Sequence, residues 1–186
     1  MFLPGFYNEP TADKIGLVDA DLLDGGTRFP NLALMKIAGH YKRAGYNVEL
    51  IDQFDPTINK IFVCKVFIKS NVPSFVADYK NVVYGGTGFN LYHAQPLPDE
   101  IEHAKPDYTI YETYIKTHYD KRVARRFFNE YYTDSSIGFT TRGCIRRCAF
   151  CVNRDKTRVE RWARPRVISR QLRTSTNASI YFNRVL

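Results

Sequence analysis

From Lys14 to Tyr84 the chain alternates short apolar runs with polar, glycine-bearing loops and one helical stripe, and that order constrains the fold more than any other feature. Lys14-Ile15-Gly16-Leu17-Val18-Asp19 is a compact apolar run ending in Asp, which suits a strand buried on both faces. The polar segment Asp24-Gly25-Gly26-Thr27 reads as a loop. Asn31 is placed to cap the next segment, where Leu34, Ile37, Ala38, Tyr41 and Ala44 recur at helical spacing. Gly45 stands where a helix commonly ends. Further strands are predicted over Asn47–Asp52, Lys60–Ile68 and Asn81–Tyr84, and a fifth over Asp107–Tyr111. Strand, helix and strand in this order, at these lengths, predict an α/β domain over 13–111 with an open, mostly parallel sheet. Residues 112–134 read as a linker with one helix near Lys121–Tyr132. No internal repeat or low-complexity stretch interrupts the pattern.

A second feature carries chemistry rather than fold. Thr141-Arg142-Gly143-Cys144-Ile145-Arg146-Arg147-Cys148-Ala149-Phe150-Cys151 places three cysteines at C-x3-C-x2-C. Thiols this close on one loop can converge on a single metal centre. A structural zinc site wants four ligands, and the 35 residues after Cys151 hold neither Cys nor His. The remaining cysteine, Cys64, lies far upstream in an apolar run and reads as a small buried side chain. A disulfide would leave one of the three clustered cysteines over. Three thiolates can instead hold an iron–sulfur cubane with one iron open to another ligand. Arg142, Arg146 and Arg147 flank the loop and would favour the thiolate form, unless they are ordinary solvated arginines. The start, Met1-Phe2-Leu3-Pro4-Gly5, has no basic region or apolar core of a secretory signal, so reduced thiols in a cytoplasm are expected.

The cysteine spacing, with an aromatic residue before the last Cys and Thr-Arg-Gly before the first, resembles the radical S-adenosylmethionine (radical SAM) superfamily. The resemblance implies that Cys144, Cys148 and Cys151 bind three irons of a [4Fe–4S] cluster. The fourth iron would chelate the amino and carboxylate groups of SAM, and Phe150 would lie against the SAM adenine. It further implies reductive cleavage of SAM to methionine and a 5′-deoxyadenosyl radical that abstracts hydrogen from a substrate the sequence leaves unknown. Residues 135–142 then look like the first strand of a partial (β/α) barrel, with the cluster loop at its carboxyl end. The sheet domain ahead of it, Rossmann-like, resembles the cobalamin-binding-like domain of many members. Members that ligate cobalt through histidine carry Asp-x-His-x-x-Gly, and His40, His93, His103 and His118 do not match it, so cobalamin held by a His ligand is not expected. The runs Phe29–Ile37 and Gly85-Gly86-Thr87-Gly88 also resemble radical SAM proteins of mostly unassigned substrate.

The formal charge is +8, and residues 152–186 carry nine Lys or Arg against Asp155 and Glu160, a net of +7. The basic character therefore belongs to the tail, whose scattered Trp162, Val167, Ile168, Leu172, Ile180 and Phe182 make a poor helical stripe. The family's downstream SAM contacts have no match there, so an incomplete barrel over 135–186 is expected, completed by a downstream segment or a protein partner. A basic arm for nucleic acid is the alternative, since related cysteine motifs occur in enzymes that methylthiolate tRNA. A non-catalytic iron–sulfur or zinc-binding accessory protein is a third reading. No run approaches 18 apolar residues, so no membrane span is expected. Gly85–Gly88, at the carboxyl end of a strand, reads either as a phosphate-cradling loop or as a tight turn using positive φ.

Overall fold

The computed structural model describes residues 14–25, 30–91, 93–119, 135–146, 148–151, 158–162 and 179–182. The chain divides into two compact units, residues 1–125 and 126–186. The first is built on four strands, β1 (Lys14–Asp19), β2 (Asn47–Leu50), β3 (Lys60–Cys64) and β4 (Val82–Gly85), all parallel, in the order β2-β1-β3-β4. The α/β reading holds, and the two central strands are those whose sequences are apolar nearly throughout. Ile15, Leu17 and Val18 of β1 and Ile61, Phe62 and Val63 of β3 are fully buried.

Alternation along β3 serves both faces of the sheet. Phe62 meets Tyr41 of α2 (Leu32–Arg43), with ring centroids 5.5 Å apart. Ile61 and Val63 point the other way, into a cluster with Val18, Ile51, Ile58, Val76 and Tyr79. The α2 helix starts where expected: the Asn31 side chain accepts the Ala33 and Leu34 N–H groups at 3.1 and 3.3 Å. It ends at the cap Ala44, followed by Gly45 at φ +93°. A buried ion pair, Lys36 Nζ to Glu102 Oε1 at 2.7 Å, ties α2 to the short α3 (Asp99–Glu102). Among the described residues no helix is long and apolar enough to cross a membrane.

Three sequence expectations in the first unit need correction. The fifth strand expected at Asp107–Tyr111 is the start of a helix, α4 (Thr109–His118), which packs against β2. The Asp107 carboxylate accepts the Thr109 N–H and hydroxyl at 2.9 and 2.7 Å, an Asx turn that sets the helical direction before β-branched propensity acts. Ile110 and Tyr114, and Tyr111 and Ile115, then form the buried stripe. Asp24 and Gly25 belong to a short helix, α1 (Ala20–Gly25), rather than a loop. The third strand stops at Cys64, because Asp21 captures the N–H groups of Val66 and Phe67 at 2.6 and 3.3 Å and draws them out of the ladder.

The second unit contains β5 (Ser135–Gly138), parallel to β8 (Ser179–Phe182), and β6 (Thr141–Arg142), antiparallel to β7 (Glu160–Arg161). The single strand expected over 135–142 is thus two short strands with different partners. The helix expected near Lys121–Tyr132 lies outside the described residues, as do Val167, Ile168 and Leu172 of the tail.

At the carboxyl end of β1, Asp19 is 1% exposed and accepts the Leu22 N–H at 3.2 Å, capping α1. Burial pushes its carboxyl up to about 6, against the hydrogen bond from the Tyr111 hydroxyl, which favours the charged form. The folded-state value lies above that of the unfolded chain, so folding takes up a proton and stability falls as pH rises through this window. Relative to Asp19→Asn, the wild-type unfolding free energy should drop by roughly 2–3 kcal/mol between about pH 4 and pH 7. Parallel urea titrations of both proteins over that range measure it, and identical pH profiles would contradict it.

Candidate metal centre

The β6–β7 ladder closes the cysteine run into a loop. Thr141 pairs with Arg161 and Arg142 with Glu160, and the Trp162 N–H extends the closure to the Thr140 carbonyl at 2.9 Å. Arg142 is the clasp. Its guanidinium carbon lies 4.6 Å from the Phe139 ring centroid and 4.5 Å from that of Trp162, stacked against both. A guanidinium held this way binds the two ends of the loop through cation–π attraction, worth about 0.5–1 kcal/mol per contact at exposed sites. Arg142 is therefore a structural clasp; Arg146 is exposed, and Arg147 lies outside the described residues.

Gly143 follows the clasp at φ +92°, and a Cβ there would be driven into the Arg158 carbonyl on the returning limb. Both the left-handed conformation and the close approach require glycine. Beyond it, Cys144, Cys148 and Cys151 are in no disulfide and are half-buried. The Arg146 N–H donates to Cys144 Sγ at 3.3 Å, and the Cys151 N–H to the Cys148 carbonyl at 3.0 Å, turning the chain between the last two cysteines. Phe150 is 87% exposed and Ile145 76%, so the loop presents two large apolar side chains to solvent.

Among the described residues no group of three or more Cys, His, Asp or Glu side chains is already arranged as a metal site. The donor set nonetheless fits an iron–sulfur cluster. It offers three thiols and no fourth, on one closed loop, with a backbone N–H directed at sulfur, the kind of hydrogen bond that tunes cluster potential.

The other residues singled out in the sequence fall elsewhere. Cys64 is buried at the end of β3, where it accepts a hydrogen bond from Asn31 Nδ2 at 3.1 Å and burial pushes its thiol up to about 12. Gly85–Gly88 is the tight turn: Gly86 has φ +100°, the Gly88 N–H goes to the Lys65 carbonyl at 3.0 Å, and the Phe89 N–H goes to the Gly86 carbonyl at 3.2 Å. Those donors are used within the chain rather than offered to a phosphate. His40 lies near the end of α2, His93 and His103 are exposed, and His118 ends α4 with Nε2 3.1 Å from Asp52 Oδ2. That last pairing joins residues 66 positions apart and left no signal in the sequence.

Comparison of the chain with protein-family models, with curated proteins and with solved structures gave no match.

Gly143→Ala should open the loop closure, at a cost of about 1–2 kcal/mol from the left-handed backbone alone. Trp162 is the chain's single tryptophan and stacks on Arg142, so its fluorescence reports the clasp. The variant should shift Trp162 emission to longer wavelength and raise its quenching by iodide. An unchanged spectrum and quenching constant would show that the loop tolerates a side chain at Gly143.

Proposed function

We propose that this chain carries the cluster-binding loop of a radical SAM protein. Cys144, Cys148 and Cys151 would hold a [4Fe–4S] cluster, and Phe150 would stack on the adenine of SAM. The observation that carries the reading is the loop itself: three half-buried thiols in no disulfide between Gly143 and β7, closed by the Arg142 clasp, with the Arg146 N–H on Cys144 Sγ. When bound, the cluster would supply an electron for reductive cleavage of SAM at its open iron.

The chain's own residues have separate tasks in this scheme. The thiols bind as thiolates, so loading releases protons and strengthens with pH. The Arg146 N–H stabilises negative charge on Cys144 sulfur. Phe150, exposed and aromatic, offers a flat apolar face for a purine ring, as aromatic side chains do for bases. The short β6–β7 ladder positions the loop, and β5 would be the first strand of a barrel.

The parallel sheet of the first unit supports its reading as a cobalamin-binding-like scaffold. No histidine in it lies in Asp-x-His-x-x-Gly, so the proposal includes no imidazole on cobalt. The basic tail as a nucleic-acid arm and a zinc-binding accessory role remain the competing readings, and one experiment separates the metals. Protein reconstituted anaerobically with iron and sulfide should bind one cluster, with absorbance at about 400 nm as iron–sulfur chemistry gives. The Cys144→Ala/Cys148→Ala/Cys151→Ala variant should bind none. Stoichiometric zinc that resists replacement, with no cluster in the wild type, would refute the proposal in favour of the accessory role.

A further inference from the structure

The last two cysteines of the loop are set differently from the first. The Cys151 N–H donates to the Cys148 carbonyl at 3.0 Å, so Cys148, Ala149, Phe150 and Cys151 make a β-turn with a cysteine at each end. A turn of this kind brings its first and fourth Cα atoms within about 7 Å. Disulfides join Cα atoms roughly 4.4–6.8 Å apart, so the turn already holds these two backbones at bridging distance. Cys144 is held elsewhere. Its sulfur accepts the Arg146 N–H at 3.3 Å, which keeps that thiol over the backbone that follows it. The fold thus sorts three cysteines into a pair and a single thiol.

The pair is also within reach of a small solute. Cys148 and Cys151 are half-buried, and Phe150 at the corner of their turn is 87% exposed. Cys64, the remaining cysteine, is buried at the end of β3 and stands outside any exchange. We propose that Cys148 and Cys151 form a reversible disulfide with a glutathione-type disulfide as oxidant, and that this bond closes the loop to cluster loading. The proposal rests on the cluster reading for its consequence and on the turn for the bond itself. The step takes two exchanges. One cysteine thiolate attacks the oxidant, forming a mixed disulfide and releasing one reduced thiol. The other cysteine then displaces the second thiol and completes the Cys148–Cys151 bond. The protein loses two protons and two electrons, and the oxidant is reduced to two thiols. Exposed bonds of this sort are the labile ones, broken again by the thiol pool. Clusters are held by thiolates, so the oxidised loop would offer Cys144 alone.

The test uses the full metal-free chain, treated anaerobically with oxidised glutathione and then with iodoacetamide. Trypsin cuts after Arg142, Arg146, Arg147 and Arg154, which puts Cys144 in one peptide and Cys148 with Cys151 in another. Mass spectrometry should find Cys144 alkylated, and the peptide 148–154 unalkylated and lighter by the hydrogens lost. The oxidised protein should also lose the thiolate absorbance that cadmium gives with the reduced chain, and regain it after dithiothreitol. Cys144→Ser should oxidise at the wild-type rate, whereas Cys151→Ser should stop at the glutathione adduct. A Cys144–Cys148 bond formed as readily would overturn the proposal. So would alkylation of all three cysteines, or undiminished cadmium uptake by the oxidised chain. Reduced protein that takes no cluster from iron and sulfide would instead sink the proposed function, and the peptide masses would still decide the disulfide.

Discussion

Four side chains at the carboxyl ends of the two central strands hold the first unit in register. The Tyr111 hydroxyl of α4 donates to Asp19 Oδ2 of β1 at 2.5 Å and accepts the backbone N–H of Asn31 at 2.9 Å. Asn31 in turn caps α2 through Oδ1 and donates through Nδ2 to Cys64 at the end of β3. One buried chain of hydrogen bonds therefore couples β1, β3, α2 and α4. Removing a member leaves its partners buried and unsatisfied, which costs about 1–3 kcal/mol for each group. Apolar packing alone would let α2 and α4 slide along the sheet; these directional bonds fix their offsets. The raised Asp19 carboxyl is the cost of placing an acid at the centre of that network.

In sheets of this strand order the crevice outside β1 and β3 is where ligands commonly bind. Here the chain's own hydrogen bonds gather at that end. Asp21, 6% exposed, accepts the Val66 and Phe67 N–H groups and the Ser70 hydroxyl, and Lys65 Nζ donates back to the carbonyls of Ile68 and Ser70. The loop after β3 is thereby folded over the crevice and stapled. Any anion entering beside Gly85–Gly88 would meet Asp19 and Asp21, and the glycines pack that turn against Lys65 and Phe67. Close backbone approach calls for glycine at Gly86 and Gly88.

How much of this was legible in the sequence follows from which forces act locally. The buried strands, the Asn31 cap and the C-terminal Gly45 were readable because each depends on residues within one turn or one strand. The α4 helix was misread at its start because Thr109, Ile110 and Tyr111 favour strands, whereas the deciding Asx turn lies in the single side chain of Asp107. The end of β3 was misread because Asp21, some 45 residues away, takes the next two amides. Cys144, Cys148 and Cys151 were evident from spacing alone. The clasp that shapes their loop was not, since in the sequence Arg142 is one of several cations and nothing there marks its contacts with Phe139 and Trp162.

That clasp bears on how a cluster would be held. Among the described residues, two ladder pairs, one further hydrogen bond and Arg142 against Phe139 and Trp162 close the base of the loop from Gly143 to Val159. Cost of closure rises only slowly with loop length, so a short ladder suffices to keep the ends together. On the proposed reading, the free energy of metal binding would add to the folding free energy of this loop. The loop leaves Phe150 and Ile145 at the surface, where on the proposed reading an adenine ring would cover the first of them.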